Sequence, residues 1–191
     1  MADTSIIDGI DYGPLAALIG RWWGDKGVDR APEPDGEERN PFYETIEFEA
    51  IGDVTNAEEQ TLALVRYHQV VSRKSNDEVF HDQVGFWSWD ATDNTLTHSF
   101  VIPRGVAVVA EGTLAAPSDP AAPVTFSVAT DPLAVPIAQS NYMAAKAATT
   151  AFSLELVVTG DTMQYTQTTV LDIYGRSEVD HTDLNTLERQ A

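Results

Sequence analysis

Apolar and polar residues alternate with period two along most of the chain after residue 42. In residues 43–50, for example, Glu44, Ile46 and Phe48 share one face of an extended chain. Alternation of this kind is typical of β-strands that place one face against a core. Similar segments follow, separated by short turns rich in Gly, Asp and Asn, and they predict strands at residues 61–71, 79–90, 95–102, 106–114, 124–130, 151–158, 163–171 and 179–189.

The chain before residue 43 has a different pattern. Residues 1–13 predict a loosely held lead-in, and residues 14–19 predict a short helical turn that Pro14 begins and Gly20 ends. The first strand is predicted to start at residues 21–24 (Arg-Trp-Trp-Gly), where a tryptophan commonly plugs one end of a small barrel. Residues 28–41 hold three prolines and many charges, so they predict a surface loop. A loop of that length is usually functional, for example a lid.

Two further stretches interrupt the strands. Residues 115–122 are rich in Pro and Ala and predict a loop. Residues 131–150 predict an irregular segment, with a turn or two of helix at 141–148. The whole pattern predicts an all-β protein, a single domain over residues 14–191 built as an antiparallel up-and-down β-barrel of about ten strands. A barrel of this size can hold one small ligand.

Composition narrows the functional classes. The 191 residues carry a formal charge of −19, which repels nucleic-acid backbones and anionic membrane surfaces. No apolar run approaches the roughly 20 residues of a membrane span. The chain has no cysteine and begins without a recognisable export signal, so we expect a cytoplasmic protein. The sequence does not determine the oligomeric state, and a homodimer is one possibility.

Two of the four histidines attract attention. On a strand, His81 shares a face with Gln83, Gly85 and Trp87, a mixture typical of a ligand-cavity wall rather than of a uniformly aliphatic core. Glycine inside a strand often marks a close approach to the backbone. The alternative for His81, as for His68 and His98, is an ordinary structural or surface histidine.

His181 lies in the last predicted strand. A neutral imidazole can bind iron through one nitrogen while its other nitrogen donates to a carboxylate, and Asp180 or Asp183 could be that partner. The alternative is an exposed histidine near the chain end.

Several segments resemble the nitrobindin-like haem-binding β-barrels, a fatty-acid-binding-like family of calycin type, similar in architecture to lipocalins. Residues 20–27 (Gly-Arg-Trp-Trp-Gly-Asp-Lys-Gly) resemble the family's Gly-x-Trp-x-Gly-x-Gly signature. Residues 80–86 (Phe-His-Asp-Gln-Val-Gly-Phe) resemble its His-x-Glu-x-Gly-Tyr strand, and residues 102–106 resemble its Pro-Thr-Gly turn. Residues 41–48 and 180–189 resemble the segment entering its second strand and its closing histidine strand.

The resemblance implies a ten-stranded barrel that holds haem b in its lumen. It makes His181 the axial iron ligand and places His81 on the other side of the haem or at its edge. Arg104 and Lys146 are candidates to contact the propionates. The family binds ferric haem and nitric oxide, and isomerisation of peroxynitrite to nitrate is attributed to it, so an enzymatic role is an open expectation. The alternative is a non-haem carrier of an apolar small molecule.

Overall fold

The computed structural model describes residues 5–119 and 122–191. Within them the chain forms thirteen strands, a 3-10 turn (Gly13–Ala17) and a helix α1 (Asn141–Lys146). The strands are β1 (Ile6–Ile7), β2 (Ile10–Asp11), β3 (Gly20–Glu33), β4 (Gly36–Asn56), β5 (Gln60–Arg73), β6 (Val79–Asp90), β7 (Thr95–Ile102), β8 (Val106–Thr113), β9 (Val124–Ala129), β10 (Ile137–Gln139), β11 (Ala147–Thr159), β12 (Thr162–Ile173) and β13 (Arg176–Arg189).

Ten long antiparallel strands close into a barrel. The hydrogen-bonded order is β8-β7-β6-β5-β4-β3-β13-β12-β11-β9, with the short β10 added beside β8. A pairing of β8 with β9, Glu111 opposite Ala129, closes the circle. The predicted all-β antiparallel barrel of about ten strands is therefore confirmed.

The 3-10 turn and the residues around it close one end of the barrel. The indole of Trp22 is fully buried and donates its Nε1–H to the carbonyl of Leu18 at 2.7 Å. The Arg189 guanidinium lies 4.1 Å from the centre of the Trp22 ring and donates to the carbonyls of Ala17 and Ile19. The predicted tryptophan plug is therefore Trp22, while Trp23 on the opposite face of the strand is 42% exposed.

The alternating strands place their apolar faces inside. Large aromatic and aliphatic side chains fill the lumen next to the closed end, among them Trp87, Leu96, Phe126, Leu156 and Met163. The outer faces carry most of the charged residues, with Asp29 and Glu44 as buried exceptions. The period-two pattern in the sequence thus reflects the inside and outside of one curved sheet.

The predicted surface loop at 28–41 is wrong. β3 and β4 continue as paired strands through this segment, with Val28 opposite Pro41 and Pro32 opposite Glu37. The chain reverses only at Pro34 and Asp35, between Glu33 and Gly36. Proline and charge indicated a loop, but an exposed hairpin accommodates both where it extends past its neighbours.

The other irregular segments differ from the expectations in detail. The helix at 141–148 forms over Asn141–Lys146, and the side chain of Ser140 caps its start by accepting from the Met143 backbone N–H. The short β10 precedes it, and β11 starts at Ala147, four residues earlier than predicted. Residues 1–4 of the lead-in and residues 120–121 of the predicted 115–122 loop lie outside the described residues.

Candidate functional site

The end of the barrel opposite the 3-10 turn carries all four residues predicted to bind a cofactor. His81 lies near the start of β6, His181 near the start of β13, and Arg104 in the turn between β7 and β8. Lys146 ends α1, directly before β11, and is exposed. His81, His181 and Arg104 lie close enough to shift the pKa values of the two histidines. We call this end the mouth.

His181 faces two carboxylates at the mouth. Its Nε2 lies 2.6 Å from Asp29 Oδ1 and 3.8 Å from Asp183 Oδ1. Asp29 and Asp183 are opposite one another across β3 and β13, so the barrel register brings the three side chains together. Asp29 is only 3% exposed, whereas His181 is half-buried.

The pKa values of this cluster reflect burial and mutual charge. Burial alone lowers the pKa of His181, but the hydrogen bond to Asp29 and the negative charges of Asp183 and Asp29 raise it above its ordinary value. Burial acts to raise the pKa of Asp29, yet its bonds to His181 and Asn40 and the charge of His181 bring it below its usual range. Burial raises the pKa of Asp183 to about 6. His181 and Asp29 therefore stabilise each other's charged forms.

His81 heads a chain of hydrogen bonds that leads into the lumen. Gln83 Oε1 can only accept, so His81 Nε2–H donates to it at 3.2 Å. The Gln83 amide donates to the Tyr67 hydroxyl at 2.5 Å, and the Tyr67 hydroxyl donates to His98 Nε2 at 2.7 Å. These directions leave His81 with an unprotonated Nδ1.

His98 ends this chain inside an aromatic cluster. It stacks on Trp87 with ring centres 4.2 Å apart and also contacts Phe100 and Phe152. Its buried Nδ1 has no hydrogen-bond partner among the described residues, and burial lowers the pKa of His98 to about 3. His98 is thus a neutral core histidine. The structure agrees with the interpretation of His98 as an ordinary structural residue.

A second polar group in the lumen centres on Glu44. Its carboxylate accepts from Tyr165 Oη at 2.8 Å, from Asn185 Nδ2 at 2.7 Å and from Gln69 Nε2 at 2.6 Å. Glu44 is 1% exposed, and burial raises its pKa to about 7. Three donors on one buried carboxylate hold β4, β5, β12 and β13 in register from the inside.

The space between these networks is small. A cavity of about 30 Å³ lies in the lumen, bordered by the polar side chains of Tyr67, Gln69, Gln83, His98, Tyr165 and Gln167 and by apolar neighbours. That volume accommodates about one water molecule. The lumen therefore has little room for a ligand at this cavity, and more than half of the residues that line it are polar.

Sequence reasoning did not find every residue of the site. It singled out His81 and His181 and placed His81, Gln83, Gly85 and Trp87 on the lumen face, where the structure has them. It did not find Asp29, because that residue fell in a segment predicted as a loop. The alternation of Gly27, Asp29 and Ala31, small or polar residues on one face, was the signal that could have placed Asp29 inside a strand.

The fold and the mouth define a closed antiparallel barrel with a histidine-bearing open end. The model of the THAP4-like haem-binding β-barrel domain matches residues 11–189, and the chain belongs to this family. No curated protein matches the sequence. Among solved structures, the crystal structure of Rv2717c from M. tuberculosis is similar in fold, with a TM-score of 0.70 and 18% identity, covering 93% of this chain and 95% of that chain.

Across residues 5–119 and 122–191, the structure contains no helix with the length and apolarity needed to span a membrane.

Proposed function

We propose that this protein binds ferric haem b at the mouth of the barrel, with His181 as the axial ligand. The observation that carries the proposal is the pairing of His181 with Asp29 in a member of a haem-binding family. Histidines that bind metals commonly donate their other ring N–H to a carboxylate, which fixes the ring and raises its basicity. Asp29 holds Nε2 in this way and leaves Nδ1 of His181 for iron.

The other mouth residues fit the same ligand. The lumen cavity of about 30 Å³ is too small for a porphyrin, so haem would lie at the mouth beside His81 and His181. Arg104 and Lys146 supply positive charge at this rim, which suits the propionates. The unprotonated Nδ1 of His81 can accept a hydrogen bond from a small molecule there. The polar lining and the small cavity give less support to a carrier of apolar molecules.

A single protein ligand leaves one position of a bound haem iron open for a small molecule. We propose nitric oxide as that ligand and isomerisation of peroxynitrite as the associated activity, on the basis of the family resemblance. The contribution of the chain is to orient His181 through Asp29 and to exclude bulk water from the side of the mouth that faces the packed lumen.

The test is a hemin titration of the purified full-length protein, followed through the Soret band. We expect a saturable band with one hemin per chain in the wild type. His181→Ala should weaken or shift it, whereas His68→Ala, at an exposed histidine bonded to Asp82, should not. Absence of specific hemin uptake by the wild type would refute haem binding. Unchanged uptake by His181→Ala would refute the ligand assignment.

Stopped-flow mixing of hemin-loaded protein with peroxynitrite tests the activity separately. Faster loss of peroxynitrite than with an equal amount of hemin-loaded His181→Ala protein is the expected result. Equal rates would refute a protein-directed activity.

A further inference from the structure

We propose that Asp29, His181 and Asp183 also form a binding site for a divalent transition-metal ion that needs no haem. One atom from each side chain, an imidazole nitrogen and two carboxylate oxygens, lies within 4.8 Å of the other two. Ligands of a zinc ion at about 2.0–2.2 Å stand roughly 3–4 Å apart, so small side-chain rotations suffice to seat an ion. The inference does not depend on haem binding.

The second oxygen of each carboxylate is already held by an amide. Asn40 Nδ2 donates to Asp29 Oδ2 at 3.0 Å, and Gln167 Nε2 donates to Asp183 Oδ2 at 2.9 Å. The oxygens nearest His181 are the Oδ1 atoms of both residues. Amide partners on the outer oxygens turn the Oδ1 atoms toward His181, the arrangement that orients carboxylates toward a metal. Asp29 Oδ1 already accepts from His181 Nε2–H, and a bound ion would take the place of that proton.

Charge at the cluster favours a cation. Two ionised carboxylates and one imidazole, even when the imidazole is protonated, leave a negative charge in a part-buried position. Among the described residues, no lysine or arginine forms an ion pair with Asp29 or Asp183. A divalent ion bound to a neutral imidazole and two carboxylates balances these charges.

The donor set selects the class of ion. Calcium and magnesium prefer oxygen ligands throughout, whereas an imidazole nitrogen favours zinc and its neighbours in the first transition row. Three protein ligands leave a further position for water or a small molecule, as in catalytic zinc sites. Zn²⁺ is therefore the appropriate probe.

The cation and haem would compete for His181. A metal ion on Nε2 requires the ring proton on Nδ1, so the same neutral imidazole cannot bind iron through Nδ1. Zn²⁺ should therefore weaken hemin uptake by the wild type. A protein that takes up Zn²⁺ but not hemin would retain this proposal and lose the haem proposal.

The test is calorimetric titration of metal-free protein with Zn²⁺. We expect one ion per chain and a dissociation constant at least tenfold weaker in Asp183→Asn. The matched control is Asp82→Asn, which disrupts the exposed His68–Asp82 pair, 3.0 Å apart, and should leave the affinity unchanged.

A measurement on the wild type alone tests the proposal even where a variant fails to fold. Imidazole ¹⁵N resonances should show Zn²⁺ binding to Nε2 of His181 with no change at His68. Equal Zn²⁺ affinity in the wild type and Asp183→Asn would overturn the proposal. So would a Zn²⁺-induced shift at His68 without one at His181.

Discussion

His181 Nε2 and Asp29 Oδ1 lie 2.6 Å apart, although 152 positions separate the two residues in the chain. The antiparallel pairing of β13 with β3 brings them together, and the barrel buries Asp29 almost completely. The orientation and charge of the mouth histidine therefore depend on a carboxylate from the first long strand.

Asp29→Asn should lower the pKa of His181. Burial already acts in that direction, and the substitution removes the charge of Asp29 and replaces its carboxylate acceptor with a weaker amide oxygen, so both influences of Asp29 that raise this pKa are lost or reduced. An NMR pH titration of the His181 ring protons measures it. Asp82→Asn is the control and should leave the His181 titration where it is. An unchanged His181 midpoint in Asp29→Asn would contradict the assigned pair.

The same substitution should change stability in a defined pH window. The pKa of Asp29 is lower in the folded protein than its unfolded value of 3.8, so ionised Asp29 stabilises the fold above pH 3.8. This contribution is lost as the pH falls through the folded pKa. The pKa of His181 is higher in the folded protein than its unfolded value of 6.5, so protonated His181 stabilises the fold below pH 6.5. This contribution is lost as the pH rises through the folded pKa. The pair is thus fully formed between about pH 4 and 6.5.

Urea unfolding of Asp29→Asn should accordingly show its largest loss, about 2 kcal/mol, near pH 5–6. The difference from the wild type should shrink at higher pH, once His181 loses its proton. A loss that does not vary with pH would show that packing rather than the ion pair is responsible.

Glu44→Gln should flatten the pH dependence of stability. Burial raises the pKa of Glu44 from 4.5 to about 7, so the folded protein binds a proton there more tightly than the unfolded chain. Stability from this group is therefore present below pH 4.5 and declines as the pH rises toward 7, by up to about 3 kcal/mol. The measurement is the free energy of unfolding at several pH values. Glu47→Gln, on the exposed face of the same strand, should keep the wild-type slope.

The architecture could be predicted because the alternation of apolar and polar residues within each strand determines it locally. β6 and β7 have the bounds that alternation predicted, and the acidic turn between them behaves as expected, since Thr92 N–H donates to the side chain of Asp90. The β3–β4 hairpin could not be predicted in the same way. Its charges and prolines favour a loop locally, and only pairing across the hairpin makes it a sheet.

The site was harder to predict for a related reason. Its histidine was visible, but its carboxylate partner was expected at Asp180 or Asp183, near in sequence. Asp180 is exposed, and Asp183 lies 3.8 Å away, while the short contact is with Asp29. The Glu44 network likewise joins residues 121 and 141 positions apart. Such partners follow from the register of barrel closure, which alternation within single strands does not determine.

Gly85→Ala should destabilise the barrel by about 3 kcal/mol. A Cβ at this position would collide with the carbonyl oxygen of Ser99 and lie 2.8 Å from both Phe100 Cβ and Tyr67 Cε1. The close approach that Gly85 indicated is therefore internal packing. Urea unfolding measures the loss, and Val84→Ala, at an exposed neighbour, should cost less than about 1 kcal/mol. A mild effect of Gly85→Ala would mean that the Ser99 backbone and the neighbouring side chains can move away.

Tyr67→Phe and His98→Phe should show strong coupling in a double-mutant cycle. Tyr67→Phe leaves the Gln83 amide and His98 Nε2 without a partner in a buried position, which costs about 1–3 kcal/mol. His98→Phe leaves the Tyr67 hydroxyl without an acceptor at a similar cost. The double variant removes the hydroxyl and both ring nitrogens together, including Nδ1, for which the described part of the wild-type chain offers no partner.

The double variant should therefore lose less stability than the sum of the single variants, by at least about 0.5 kcal/mol. Guanidinium unfolding of the four proteins at one pH gives this coupling energy. Phe152→Leu combined with Tyr67→Phe is the matched comparison, because Phe152 contacts His98 by its ring but takes no part in the hydrogen-bond chain. Additive losses in the Tyr67–His98 cycle would mean that the hydroxyl and the imidazole do not depend on each other. The chain from His81 would then end at the Tyr67 hydroxyl, and His98 would not contribute to it.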